Sequence, residues 1–491
     1  METMDRLQSP AAWLRAHLGD HPLAPELAAW EAEWRQWGQA VSDAVDRLGT
    51  PHLKMFDALG RRVDEIQYPP DYGRLLRAGY RAGSVWRAFE QGSVVPAYLL
   101  GYVTAFFDPG LYCPYTVSLS TAVPIDKYAE AGVRERFLAP LLRRDERVWQ
   151  GATWMTEAKG GSDLGRTVET AAVPGPDGRW RLDGEKYFCS NAGAELAVVA
   201  ARPAGAPPGV RGLALFLVPR VREDGRLNVQ IRRLKDKIAT RSVPTAEIEL
   251  KGSEGYLLGR PDQGVYLVLE VLNLSRVANS IGSAALAQRS LADAVAFARA
   301  REAFGRPVAD HPLLARQIQE RADAVEHAWA LAWLAVTLLD RVWRERPPYT
   351  PRYWLFRLVA HLAKYWTAEI AVATARWALE VLAGAGTLAE NRTERWLREA
   401  MILAIWEGTP HRQMLDGLET MERKGAHRLL LDELRPLVDT GEVETWRERL
   451  ERFLALPADE REAGIEPVFA DLARFVAAAA RREPGVLPGV G

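Results

Sequence analysis

The sequence predicts an α+β fold laid out as helices, then strands, then helices. Three observations carry this. Apolar residues recur at three and four through residues 1–150, the pattern shifts near Trp149 to short alternating runs, and from Gly264 the helical period returns and persists. Strands do not alternate with helices, so a doubly wound parallel sheet is not expected.

The first block, 1–150, reads as a helical domain. PELAAWEAEWRQWGQAVSDAVDRL and YGRLLRAGYRAGSVWRAFEQ both carry an apolar stripe at helical spacing. Two uncharged stretches, Gln91 to Phe107 and Pro109 to Ile125, approach the length of a membrane span. Both hold proline and polar residues, so they are expected as buried core helices, and no membrane association is expected. The opening METMDRLQSPAAWLRAHLGD has early acidic residues and no apolar core, so no signal peptide is expected.

The second block, 151–258, holds TVETAAV, RWRLDGEKYF, LAVVAA, LALFLVP, NVQIRRL and TAEIEL, separated by PGPDG, GAPPG and EDG. It reads as an antiparallel β domain, barrel or sandwich. The third block, 259–425, contains four long amphipathic runs and fits a helical bundle. Residues 426–491 are helical with proline breaks and read as an appended extension.

Composition narrows the function classes. Net charge is −1 over 491 residues, which calls for no polyanionic partner. Two cysteines, Cys113 and Cys189, offer no disulfide framework, and a reducing, cytoplasmic setting is expected. The eight histidines show no metal-ligand spacing, so no metal is expected. The 17 tryptophans are expected in core and subunit packing.

Four segments carry candidate chemistry. Gly384-Ala-Gly386-Thr-Leu-Ala389 fits a dinucleotide pattern, but the residues before it have helical period, so the Rossmann reading fails on context. Trp154-Met155-Thr156-Glu157-Ala-Lys-Gly160-Gly161-Ser162-Asp163 taken alone is a surface turn. Lys186-Tyr-Phe188-Cys189-Ser190-Asn191 is a strand entering a turn. Ile405-Trp406-Glu407-Gly408-Thr409 sets a carboxylate after an apolar pair at a helix end. That Glu is either an exposed helix terminus or a buried group with a task.

Taken together the segments resemble the acyl-CoA dehydrogenase family. WMTEAKGGSD resembles the family's T-E-x-x-x-G-S-D, KYFCSN its K-x-W-I-T-N, RAREAFGRP its R-x-x-F-G, LAGAGT its G-G-x-G, and IWEGT its I-Y-E-G-T. All five fall in family order over roughly 150–420. FDALGRRVDEIQYPPDY, DPGLYCPYTVS, RLKDKIATRS and the tryptophan of IWEG resemble the AidB branch, the adaptive-response flavoproteins.

The resemblance implies a helical N-terminal domain, a middle antiparallel β-barrel and a C-terminal four-helix bundle. It implies FAD as cofactor, an acyl-CoA substrate, an electron-transfer flavoprotein as acceptor and a homotetramer. By motif match Glu407 is the catalytic base; Ser275, at the alternative family position, is not a carboxylate. The resemblance assigns flavin contacts to Met155, Thr156, Gly161, Ser162, Phe188, Cys189, Ser190, Trp406, Thr409 and His411. It assigns Arg301, Phe304, Gly384 and Gly386 to the FAD of a neighbouring subunit, and Ser162, Arg276, Glu407 and Gly408 to substrate. Phe188 stands where tryptophan is usual, and Ala383 replaces the first glycine of G-G-x-G.

The branch also implies rivals: duplex DNA binding through a basic C-terminal region with little dehydrogenase activity, or a flavin oxidase or monooxygenase on the same fold. Residues 421–491 hold 11 Lys or Arg against 14 Asp or Glu. A solvated face or oligomer contact is therefore expected there rather than a DNA surface, with Arg428, Arg435, Arg481 and Arg482 as the residues of any basic patch.

Overall fold

The computed structural model describes residues 6–482. The ends of the first and last sequence blocks, 1–5 and 483–491, lie outside the described residues. Two compact units make up the structure. One comprises Met1–Ala32, Gly101–Pro109 and Arg276–Gly491, and the other Glu33–Leu100 and Gly110–Ser275.

The second of these holds the long strands. A hairpin of β1 (His52–Phe56) and β2 (Arg62–Gln67) comes first. It corrects the expectation that the first block is helical throughout. Asp57 fixes the turn by accepting from the amides of Leu59 and Arg61 at 2.8 and 2.9 Å. The helices α1 (Tyr72–Ala82), α2 (Val95–Phe107) and α3 (Pro109–Tyr128) follow. The two uncharged stretches thus become α2 and α3.

Seven strands then form the middle domain: β3 (Gly151–Trp154), β4 (Ala171–Pro174), β5 (Trp180–Ser190), β6 (Leu196–Pro203), β7 (Ala214–Pro219), β8 (Gln230–Leu234) and β9 (Thr245–Leu258). β6 pairs β4, β4 pairs β5, β5 pairs β9, β9 pairs β7 and β7 returns to β6, closing a barrel. Most pairs are antiparallel as expected, but β3 and β4 each lie parallel to β6. Trp154, Leu182, Cys189, Val199, Phe216 and Ile248 fill the interior. A register shift in β5 between Lys186 and Cys189 explains one exposed ring: both of those residues are buried, and Phe188 beside Cys189 faces out and remains 54% exposed. The β1–β2 hairpin docks on the β8 edge, where the Ile231 amide donates to Asp64 at 2.8 Å and Arg62 donates to the Ile231 carbonyl at 2.7 Å. Covering that edge satisfies its backbone groups.

The other unit is helical. α4 (Gly264–Ala300) supplies its residues from Arg276 onward, followed by α5 (Pro312–Val342), α6 (Pro351–Leu382) and α7 (Thr393–Ile405). α5 is long and apolar enough to cross a membrane, yet most of its apolar window is buried against protein. α6 packs on α5, α7 and the following α8 (Pro410–Lys424), and its buried face includes Leu358, Leu362 and Ala375.

The C-terminal helices α9 (Ala426–Leu434), α10 (Thr440–Leu454) and α11 (Ala458–Arg482) are part of this packing. Phe469 of α11 is fully buried, and a Cβ added to Gly417 of α8 would lie 2.4 Å from its ring. Only glycine lets α8 come that close. The four arginines of the anticipated basic patch all have carboxylate partners. Arg428 meets Glu451 at 2.6 Å, Arg435 meets Glu444 at 3.1 Å, Arg481 meets Asp323 at 3.1 Å, and Arg482 meets Glu442 at 3.8 Å.

Candidate functional site

The motif residues fall into two clusters, one in each unit. In the β unit, the loop after β3 and the end of β5 lie side by side. The Tyr187 amide donates to the Thr156 carbonyl at 3.0 Å, the Trp154 indole donates to the Ser190 carbonyl at 3.3 Å, and the Asn191 side chain donates to the Gly151 carbonyl at 2.9 Å. Thr156 and Ser190, separated by more than thirty residues in sequence, are thereby fixed to one neighbourhood.

A buried ion pair locks the arrangement. Lys186 donates to Glu157 at 2.7 Å and to the Ala200 carbonyl at 2.7 Å. Glu157 also accepts from the amides of Glu169 and Thr170 and from the Thr170 hydroxyl. Burial alone would raise the Glu157 carboxyl, but the Lys186 charge and these donors outweigh it and hold it below its ordinary value. Burial pushes the Lys186 ammonium down, against the pull of Glu157. Both residues lie inside the motifs, but nothing in the sequence pairs them. A lysine in a strand that otherwise turns apolar residues inward, and a Glu in the loop just after β3, were the available signal.

Met155 is buried below the loop, while Gly161 and Ser162 are exposed on it. A Cβ at Gly161 would stand 2.6 Å from the Thr156 hydroxyl, so the loop folds back onto that side chain. The Ser190 hydroxyl lies 3.2 Å from that of Thr245. Lys237, from RLKDKIATRS, donates to the Thr245 hydroxyl at 3.0 Å and to the Val243 carbonyl at 3.0 Å. Lys235 from the same segment sits 4.7 Å from the centre of the Phe188 ring. Together these form a half-exposed aromatic ring beside hydroxyls.

In the helical unit the centre is Glu407, in the turn between α7 and α8. Its φ is +59° and that of Gly408 is +105°, which turns the chain sharply after the helix ends. The carbonyls of the turn point to interior donors. Arg276 Nε donates to the Glu407 carbonyl at 3.1 Å, and Gln413 Nε2 donates to those of Glu407 and Gly408 at 3.0 Å each. Lys364 Nζ donates to Ala404 at 2.8 Å and Gly408 at 2.6 Å. Trp406 is held by its indole donating to Asn279. Because Gln413 donates through its nitrogen, its oxygen faces His361 Nδ1 at 2.9 Å and sets the proton on that nitrogen.

Arg276 also meets Asp416 at 3.1 Å, and Arg412 pairs with the same carboxylate. Asp416 is held well below the usual carboxylate range: burial opposes this, but His361, Arg276 and Arg412 outweigh it. Glu407 as a residue is half-buried, yet its carboxyl is packed deeply enough that lost hydration dominates and raises it to about 7, with Arg276 and Lys364 pulling the other way. Burial, aided by Arg276, lowers Lys364 to about 7. Burial likewise lowers His361 to about 3, so it is neutral near pH 7.

The remaining predicted residues do not join this centre. Thr409 caps α8 by accepting from the Arg412 amide, and His411 is exposed on its first turn. Arg301 precedes a small hairpin of β10 (Glu302–Ala303) and β11 (Arg306–Pro307), and Phe304 in its turn is 96% exposed. Gly384 and Gly386 lie in a 3₁₀ turn directly after α6, which confirms that no Rossmann strand precedes them. Ala383 takes φ +54°, a conformation suited to the glycine it replaces. Lys364, Gln413, Asn279 and Asp416 were not anticipated. The signal for Lys364 was a lone lysine amid the apolar residues of α6. Among the described residues no group of three or more His, Cys, Asp or Glu could hold a metal.

Comparison with known proteins bears on the fold and the family. The model of the acyl-CoA dehydrogenase middle domain matches residues 152–253, that of the acyl-CoA dehydrogenase C-terminal domain matches 262–421, and that of the adaptive response protein AidB N-terminal domain matches 15–145. AidB of Escherichia coli (strain K12) is 30% identical over 431 residues, covering 83% of this chain and 77% of AidB. The chain belongs to the acyl-CoA dehydrogenase family. Within the family it is AidB-like, as the N-terminal match indicates. Acyl-CoA dehydrogenase family member 11 of Caenorhabditis elegans is 28% identical over 414 residues, 80% of this chain and 67% of that one. The structure of Bd2924 in its apo form superposes with a TM-score of 0.87 at 28% identity, covering 99% and 97% of the two chains. Acyl-CoA dehydrogenases are FAD-dependent oxidoreductases, and this AidB-like member has the fold of that enzyme family.

Proposed function

We propose that the protein is an FAD-dependent acyl-CoA dehydrogenase in which Glu407 removes the α-proton of an acyl-CoA thioester. The observation that carries this is the Glu407 turn: a carboxyl held near 7, on a backbone whose carbonyls are tied inward by Arg276, Gln413 and Lys364. A base poised near the working pH is what proton abstraction from a weak carbon acid requires. The exposed Phe188, on the strand end that carries Ser190 and is tied to the Thr156 loop, fits a flat ring with a polar edge. When bound, FAD supplies the acceptor for the β-hydride.

This chain's residues do the rest. Glu407 takes the proton onto its carboxylate. The amide of Glu407, in a turn whose carbonyls are committed elsewhere, donates to the thioester oxygen and steadies the charge that develops there. Arg276 and Lys364 favour the ionised carboxylate. Met155, Gly161, Ser162, Trp406, Thr409 and His411 complete the flavin and substrate contacts by motif, with Gly408 beside the base; Cys189, its side chain in the barrel core, would contribute through its backbone. Phe304, 96% exposed, supports the reading that Arg301, Phe304, Gly384 and Gly386 reach a neighbouring subunit of a homotetramer. An electron-transfer flavoprotein is the expected acceptor.

The test is an anaerobic titration of the purified flavoprotein with acyl-CoA esters from short to long chain. Family member 11 was solved in complex with C11-CoA, so the panel includes that length. We expect one range of chain lengths to bleach the flavin. A bound yellow flavin that no ester bleaches refutes the proposal. The pH dependence follows from the base: Glu407 must be ionised, so the rate of bleaching should rise with pH through about 7. A rate that is flat between pH 5.5 and 8.5, or falls, contradicts it.

A further inference from the structure

Lys364 is fully buried on α6 and, among the described residues, forms no ion pair with a carboxylate. A buried ammonium without such a partner is costly, so the structure must compensate it or use it. Its two hydrogen-bond acceptors straddle the base: Ala404 in the last turn of α7 and Gly408 just past Glu407. The carbonyl end of α7 gives it a favourable dipole. Gly408 already accepts from Gln413 at 3.0 Å, so satisfying that carbonyl does not require a charge. What Lys364 adds is a positive charge behind the turn over the acid range up to about pH 7, where its ammonium persists.

Resting on the reading of Glu407 as base, we propose that Lys364 is a positioning residue that ties both sides of the Glu407 turn together and uses its charge to keep the Glu407 carboxylate ionised. The groups facing it are Glu407 on the turn, Arg276 on α4 and Glu369 on its own helix. Behind Arg276 stand Asp416 and Arg412 on α8 and His361 and Arg357 on α6. Arg276 shares its charge with Asp416 at 3.1 Å. Among the described residues Lys364 forms no ion pair of that kind; Glu369 on its own helix also feels its charge, and Glu407 is the stronger of the two acidic influences on it. The separation of Lys364 from motif positions explains why the sequence did not reveal it.

The test is the pH profile of anaerobic flavin reduction in Lys364→Met and Lys364→Arg, with Glu407→Gln alongside. Methionine keeps the stem and suits a buried site. Lys364→Met should move the acid limb upward by about one pH unit and slow reduction at pH 7 by ~5-fold, while the alkaline plateau is retained. Lys364→Arg should restore the limb. An unmoved limb in Lys364→Met, or an arginine variant no better than methionine, overturns the proposal. If Lys364→Met does not hold its flavin, Lys364→Arg decides alone. Its permanent charge should put the limb at or below the wild-type position, and a limb above it overturns the role. Glu407→Gln separates the two readings. If that variant still reduces flavin, the base assignment falls and Lys364 with it. If it does not, while the Lys364→Met limb stays put, only the Lys364 role falls.

Discussion

Glu407→Gln should retain flavin and the fold but lose acyl-CoA-driven reduction by about 10²–10⁴-fold, the range over which a positioned general base contributes. The substitution is nearly isosteric, and the Glu407 contacts that hold the turn are made through its backbone carbonyl, which glutamine keeps. It therefore separates chemistry from architecture. Flavin absorbance and thermal unfolding should match the wild type, and rapid-mixing reduction should not. A Glu407→Gln protein with wild-type reduction rates would remove Glu407 from the reaction.

The second large effect is expected in the β unit. Lys186→Met leaves the Glu157 carboxylate buried without its cation, and breaking such a pair from one side costs about 3–5 kcal/mol. Glu157 gathers three donors from Glu169 and Thr170 besides Lys186, so its release should loosen the loop carrying Thr156 and Ser162. We expect a lower unfolding midpoint and reduced flavin retention. Adding Glu157→Leu to Lys186→Met should recover part of the stability, because an apolar pair no longer strands a charge. Unchanged stability in Lys186→Met would show that the pair is not what holds the loop.

Much of the fold was legible because its signals are local. Proline starts α5 and α6 at Pro312 and Pro351, and the apolar period predicted their extent to within a residue or two. The same local logic removed the Rossmann reading of Gly384 and Gly386. The β1–β2 hairpin was missed because two five- and six-residue strands with half-exposed faces barely interrupt a helical block. The parallel pairing of β3 with β6 was missed because pairing joins residues some forty positions apart, and alternation carries no partner information. In the candidate site, Glu407 could be read from a motif. Lys364 and Gln413, which act on its backbone, belong to none of the family motifs, and only the packing of α6 and α8 brings them there.

The contact between Gly417 and Phe469 bears on how this chain could be shortened or recombined. α8 carries a notch with no side chain, and α11 carries the ring that fills it, fifty-two positions later. A chain ended after α8 would keep the notch and lose its filling, baring Tyr365, whose ring lies 5.7 Å from that of Phe469. A hybrid joining this bundle to a relative's tail would need an aromatic side chain at the same depth, or a larger residue at 417 to close the gap. The helices after residue 425 are therefore inherited with the bundle rather than exchangeable as a separate module.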